Sequence, residues 1–250
     1  MIGAHGMKLA AQLFGTTLGR KYLMALSGAG LFGFTVVHML GNLQLFLGPE
    51  SLNRYAQFLQ SNKELLWPAR LGLLSMVAIH LWSAIKLTAE NKAARPVQYI
   101  GDPNPAAATF ASRTMLMSGL IIAAFAVYHI LHFTVQVPEI NFVSVDFKTF
   151  HVAEGAQKGF HDVYRMMVTG FQNPYVSGFY ILAVGLLCLH LSHGLSALFQ
   201  TLGLRNHAWW PLIQRFGIVA SLLLFLGYIT VPVAVLSGLV TATTGCDCCK

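Results

Sequence analysis

Four histidines, His38, His80, His129 and His190, each sit well inside a separate apolar stretch long enough to cross a membrane. An imidazole is costly in hydrocarbon and is rare there without a partner or a function. One per stretch suggests two pairs, and two facing imidazoles on neighbouring helices can fill both axial positions of a haem iron. The competing reading, a packing residue satisfied by an interhelical hydrogen bond, suits a single intramembrane histidine better than it suits four.

The stretches that must position them lie near 22–46, 66–89, 113–137, 175–202 and 216–240, and a crossing helix needs ~20 mainly apolar residues. The 250-residue chain is 55% hydrophobic and 10% charged, with a mean hydropathy of +0.60. Soluble domains carry roughly 25% charged residues, and the connections here leave no room for a soluble catalytic domain. The expectation is an all-α membrane protein in which five transmembrane helices form a haem-binding bundle. It is one membrane domain over residues 1–250, with a disordered tail from 241. The first stretch is too long for the core of a cleaved signal and no small-residue cleavage pattern follows it, so it is expected to stay as an anchor. No internal repeat is expected. Leu52, Tyr55, Phe58 and Leu59 have the spacing of a short surface helix, and the long 138–174 connection is expected to cap the outer face.

Helical rise tests whether the histidines pair by depth. With helix ends at Tyr22 and Arg113, His38 and His129 each lie about 24 Å from the inner face. Counted back from Ala89 and Leu202, His80 lies about 14 Å and His190 about 18 Å from that face. His38 therefore matches His129, and His80 matches His190. Spacing does not choose within each couple, because His132 and His193 follow His129 and His190 by three and share their helix faces. The second member of each couple would meet a haem propionate, a quinone or water.

A flat macrocycle needs small neighbours. Gly28, Gly30, Gly33, Gly72, Ser118, Gly119, Gly178 and Gly185 supply them, although ordinary close helix packing enriches the same residues. Arg20, Lys21, Ser27, Arg70 and Arg113 are placed to meet propionates or to anchor the interface. Asn42, Gln44 and Gln60 near the outer pair can donate to a quinone carbonyl. Cys188 is alone in the fourth stretch and cannot hold an iron–sulfur cluster. Cys246, Cys248 and Cys249 crowd a tail expected to fray.

Five crossings put the termini on opposite sides. With the N-terminus cytoplasmic, nine Lys and Arg fall inside and seven outside, the direction of the positive-inside tendency. Only Glu90 and Asp102 among the acids fall inside, so the inner face is basic. Such a face suits anionic lipid or a docked cytoplasmic partner. Trp209, Trp210 and Pro211 mark the inner interface.

The runs Val37-His38-Met39-Leu40-Gly41-Asn42-Leu43-Gln44, Ile79-His80-Leu81-Trp82, Val127-Tyr128-His129-Ile130-Leu131-His132 and Leu189-His190-Leu191-Ser192-His193-Gly194-Leu195 resemble the cytochrome b558 membrane subunit of succinate dehydrogenase and fumarate reductase. The resemblance is to the five-helix, dihaem, single-anchor type and spans roughly residues 20–240. It implies two haem b groups, ligated by His38 and His129 (outer) and by His80 and His190 (inner). It selects His190 over His193 by the offsets to Ser192 and Gly194. It leaves Gly33, Gly119, His132 and His193 to the pockets.

By the same resemblance, a cytoplasmic flavoprotein oxidises succinate and an iron–sulfur subunit passes the electrons to this chain, which reduces menaquinone. That is a step shared by the respiratory chain and the tricarboxylic acid cycle. The dicarboxylate chemistry would lie outside this chain. The implied setting is the bacterial inner membrane, with lipid and a higher oligomer of the heterotrimer as partners and no nucleic acid. Some fumarate reductases of the family carry a glutamate two residues before the fourth-helix ligand. Here that position is Cys188, and the expectation is succinate oxidation without a carboxylate proton path. The alternatives are a cytochrome b anchor of a formate dehydrogenase or hydrogenase, the fumarate reductase direction, and a His-lined transporter. A transporter would ordinarily show broken helices or inverted repeats.

Overall fold

The computed structural model describes residues 11–94 and 110–242. Lys8, Arg95, Asp102, Cys246, Cys248, Cys249 and the tail expected to be disordered from 243 onward lie outside the described residues. The helices of nine or more residues among the described residues are α1 (Thr17–Leu43), α2 (Pro49–Ser61), α3 (Lys63–Ala93), α4 (Met115–His129), α5 (Val163–Phe171), α6 (Pro174–Thr201) and α7 (Trp210–Leu236), with a single turn at Phe110–Arg113 before α4. A 3-10 turn, Gln44–Leu47, extends α1, and a π-helical turn, Ile130–Val135, extends α4. The described residues contain no strand, only an isolated bridge between His151 and His161. The protein is all-α, and α1, α3, α4, α6 and α7 with their extensions are long and apolar enough to cross a membrane.

Caps move the helix ends away from the apolar boundaries. α1 starts five residues before 22 because the Thr16 hydroxyl accepts from the Gly19 amide at 3.0 Å, an N-cap bond that satisfies one of the free first-turn amides. α7 starts at Trp210 rather than 216. Asn206 Oδ1 accepts from the Trp209 amide at 2.8 Å, and Pro211 sits in the first turn, where its missing N–H costs nothing. α7 ends at Leu236, just before Gly238 at φ 74°. Gly48, at φ 93°, makes the corner between the 3-10 turn and Pro49 of α2.

The chain folds into two compact units. One comprises the segments up to Thr35, Ala69–Leu120 and Leu187–Leu222; the other comprises Val36–Pro68, Ile121–Leu186 and the segment from Leu223. In the first, Arg20 of α1 pairs with Glu90 of α3, which also accepts from the Thr17 hydroxyl at 3.1 Å. Arg20 donates a second bond to the Phe14 carbonyl at 2.8 Å. Met76 lies over Gly30, and Gly217 of α7 lies against Ser192 and Ser196 of α6.

The second unit buries Leu45, Leu52, Met167, Val168, Phe171 and Tyr180 together. The 138–174 connection closes over Phe147 and Phe150, both nearly inaccessible. Its His161 lies 2.9 Å from Gln136 at the end of the π turn, and burial lowers the His161 pKa from its ordinary value. α2 is tied to α5 through Asn53, which is 4% exposed. Asn53 accepts from the Tyr164 amide and donates to Asp162, each at 3.0 Å. Asp162 in turn caps α5 through the Arg165 amide at 2.9 Å. Asn53→Ala strands the buried Tyr164 amide, while half-buried Asp162 keeps the Arg165 amide, and a buried group left unpaired costs about 1–3 kcal/mol. The expected result is a lower thermal midpoint in detergent; an unchanged midpoint would show the link to be dispensable.

Candidate functional site

The first unit brings the rings of His80 of α3 and His190 of α6 together, steeply inclined to one another, with centroids 6.4 Å apart. The second unit does the same with His38 of α1 and His129 of α4, at 5.7 Å. A metal–imidazole bond is about 2.0 Å, and with the nitrogen about 1.1 Å from the ring centre, two rings on opposite sides of one metal need centroids about 6.2 Å apart. The first pair meets that span, and the second is shorter by roughly half an ångström. Among the described residues no three His, Cys, Asp or Glu side chains gather into a metal site.

The first pair has its tautomers fixed. His80 Nδ1 lies 3.1 Å from the Met24 carbonyl oxygen and 3.2 Å from the Ser27 hydroxyl. A carbonyl only accepts, so Nδ1 carries the proton and Nε2 presents a lone pair. His190 has a similar seat: its Nδ1 lies 3.1 Å from the Ser118 hydroxyl, which itself donates to the Met115 carbonyl at 3.2 Å and so accepts from Nδ1. Each ring also lies on bare backbone. A Cβ on Gly28 would stand 3.1 Å from His80 Cε1, and one on Gly119 would stand 3.4 Å from His190 Cε1.

Ser27-Gly28 and Ser118-Gly119 are thus the same device used twice. In α1 the dipeptide is followed after nine residues by His38, and in α4 after nine residues by His129. Contrary to the sequence expectation, the chain does carry an internal repeat, Ser-Gly-x9-His. Each repeat seats the histidine of the next long helix and contributes its own histidine to the other pair. The repeat escapes notice in sequence because nine variable apolar residues separate its fixed positions.

The second pair is held by side chains. His129 Nδ1 lies 3.4 Å from the Tyr180 hydroxyl, and His132 Nδ1 lies 3.0 Å from the same oxygen. Asn42 Nδ2 stands 3.4 Å from His38 Nε2, at the long edge of hydrogen bonding. The ring that meets His38 is His129. His132 is fully buried beside Phe133, Phe147, Tyr128 and Tyr180. An unbroken α-helix would give residues three apart one shared face; here the π turn begins directly after His129. Such turns are rare and recur at functional sites. Tyr180 had no motif to announce it, since one tyrosine among apolar residues reads as packing.

The remaining expected residues divide. A Cβ on Gly33 would meet nothing within 4 Å, so open space flanks it. Arg20 is committed to Glu90, while Lys21, Arg70 and Arg113 are exposed. His193 is half-buried on α6. Gln44 lines an open groove of about 550 Å³ with Ser51, Arg54, Tyr55 and Phe58, whereas Gln60 is exposed and outside that lining. Cys188 is a buried free thiol. Comparisons of the chain with protein-family models, curated proteins and solved structures found no match.

Proposed function

We propose that the chain is the dihaem cytochrome b subunit of a succinate:quinone oxidoreductase. It anchors a flavoprotein and an iron–sulfur subunit at the cytoplasmic side of a bacterial inner membrane and delivers their electrons to menaquinone. The observation that carries this reading is the pairing of four intramembrane histidines at centroid distances of 6.4 and 5.7 Å. Haem b held by two histidines supplies one-electron chemistry at an iron with both axial positions closed, which suits transfer rather than substrate binding.

His80 and His190 would hold one group through Nε2. The Met24 carbonyl and the Ser27 and Ser118 hydroxyls hold their rings, and such outer partners set ligand orientation and basicity. His38 and His129 would hold the other, with Tyr180 behind His129. Apolar helix surfaces exclude water from both. Gln44, Ser51, Arg54 and Tyr55 offer hydrogen-bond donors around an open groove of about 550 Å³, the candidate quinone contact. The basic residues assigned to the inner face, among them Lys21, Arg113 and Arg215, supply a docking charge for the iron–sulfur subunit. With Cys188 where a proton-carrying glutamate would stand, the reading favours succinate oxidation.

The test is a reduced-minus-oxidised optical spectrum of the complex purified with its partners. Two b-type components, reduced at least in part by succinate, are expected. An absence of b-type bands overturns the reading. Bands that answer to formate or hydrogen but not to succinate move the chain to another respiratory complex.

A further inference from the structure

We infer that Tyr180 is the positioning residue of the His38–His129 pair, its oxygen accepting the Nδ1 proton of His129 while its own proton goes to Nδ1 of His132. The inference rests on the haem reading above and concerns how one of the two sites is tuned. A neutral imidazole that ligates through Nε2 carries its proton on Nδ1. His129 Nδ1 must therefore donate, and the partner the structure gives it is the Tyr180 hydroxyl at 3.4 Å. A hydroxyl that accepts there has to send its single proton elsewhere. His132 Nδ1, at 3.0 Å, is the nearer nitrogen and receives it. The hydrogen bonds then run in one direction, from His129 through Tyr180 to His132, and leave His132 with its one N–H on Nε2.

That nitrogen is the strongest clue. His132 is fully buried, and among the described residues its Nε2 has no hydrogen-bond partner. A phenylalanine would fill the same space beside Phe133 and Phe147 without stranding a polar atom. What the imidazole adds is an acceptor at Nδ1, and the Tyr180 hydroxyl is what uses it. Bonds in series polarise one another, so His132 makes the Tyr180 oxygen a better acceptor for His129. The Tyr180 ring is itself fixed by edge contacts with Phe125 and Phe171, each at a 5.0 Å centroid distance.

The other pair lacks this device. The His80 ring lies against the Met24 carbonyl and the Ser27 hydroxyl, and the His190 ring against the Ser118 hydroxyl. The two sites therefore differ: small hydroxyls of a neighbouring helix, each serving one ring, stand behind the first pair, whereas a single tyrosine hydroxyl shared by two imidazoles stands behind the second. Tyr180→Phe deletes one oxygen and keeps the ring contacts.

The test is a redox titration of both b-type components in the purified complex, with low-temperature electron paramagnetic resonance of the same samples. Tyr180→Phe should retain both haems. It should move one component to a more positive midpoint potential, because the axial histidine loses electron-donating character with its acceptor, and leave the other component in place. The resonance of the shifted component should move with it. His132→Phe should shift the same component in the same direction by less. His132→Asn, whose amide oxygen can replace Nδ1 as acceptor, should stay near wild type. If both components keep their potentials in Tyr180→Phe and in His132→Phe, the inference fails. Loss of haem, or an equal shift of both components, marks a packing role and also overturns it. A wild-type complex without b-type bands overturns the proposed function instead, which keeps the two failures apart.

Discussion

Replacing His80 with leucine is expected to remove one of two b-type components and leave the other; replacing His38 should do the converse. Haem content falls from two per chain to one in either variant. Succinate-driven quinone reduction falls by more than about 100-fold, beyond the 10–100-fold typical when only an outer partner of a metal ligand is lost. The effect should be separable from misfolding. Leucine is more at ease in hydrocarbon than imidazole, and the groups His80 leaves behind keep partners: the Ser27 hydroxyl still donates to the Leu23 carbonyl at 2.6 Å. His190→Leu should match His80→Leu, and His129→Leu should match His38→Leu, because each ring faces the other within its pair. His193→Leu should keep both components, since the ring opposite His80 is that of His190. The readout is pyridine haemochrome content with the optical spectrum. Four variants that each lose both components together would show that the pairs are not separate sites.

The pairing was legible because depth along a helix is a one-dimensional quantity. Residue counts from charged boundaries place His38 with His129 and His80 with His190, and the two depth levels are far enough apart to survive errors of a few residues at each end. Choosing His129 over His132 requires three dimensions. The π turn that starts at Ile130 carries Phe133, which stacks on Phe147 of the 138–174 connection, a long-range contact that no local propensity encodes. Helix ends were misjudged where polar caps outrank hydrophobicity: Thr16 and Asn206 start α1 and α7 in segments that do not look apolar. Arg20 shows a third limit. From sequence it was as well placed for a propionate as Lys21, yet Glu90, seventy residues away, claims its guanidinium. The partner of a charge is a tertiary fact.

Enlarging the two glycine seats should separate cofactor binding from fold stability. Gly28→Leu and Gly119→Leu replace the poorest ordinary helix residue with one of the best, a gain of about 0.5–1 kcal/mol per site in helix propensity. The same side chains would fill the space where the His80 and His190 rings lie, since even a Cβ on Gly28 comes within 3.1 Å of His80. Each variant should therefore lose the haem of that pair while its helix content stays at least as high as in the wild type. The alanine series grades the effect. Gly28→Ala, at 3.1 Å, forces the ring aside by a few tenths of an ångström and should weaken haem retention measurably. Gly119→Ala, at 3.4 Å, is close to ordinary contact and should be nearly silent. Gly72→Ala, which meets nothing within 4 Å, should stabilise without touching either component. If these glycines served only close helix packing, the leucine variants would lose helix content and both components together. If they serve as ring seats, the loss is confined to one pair, and its size follows the distance from the added carbon to the ring.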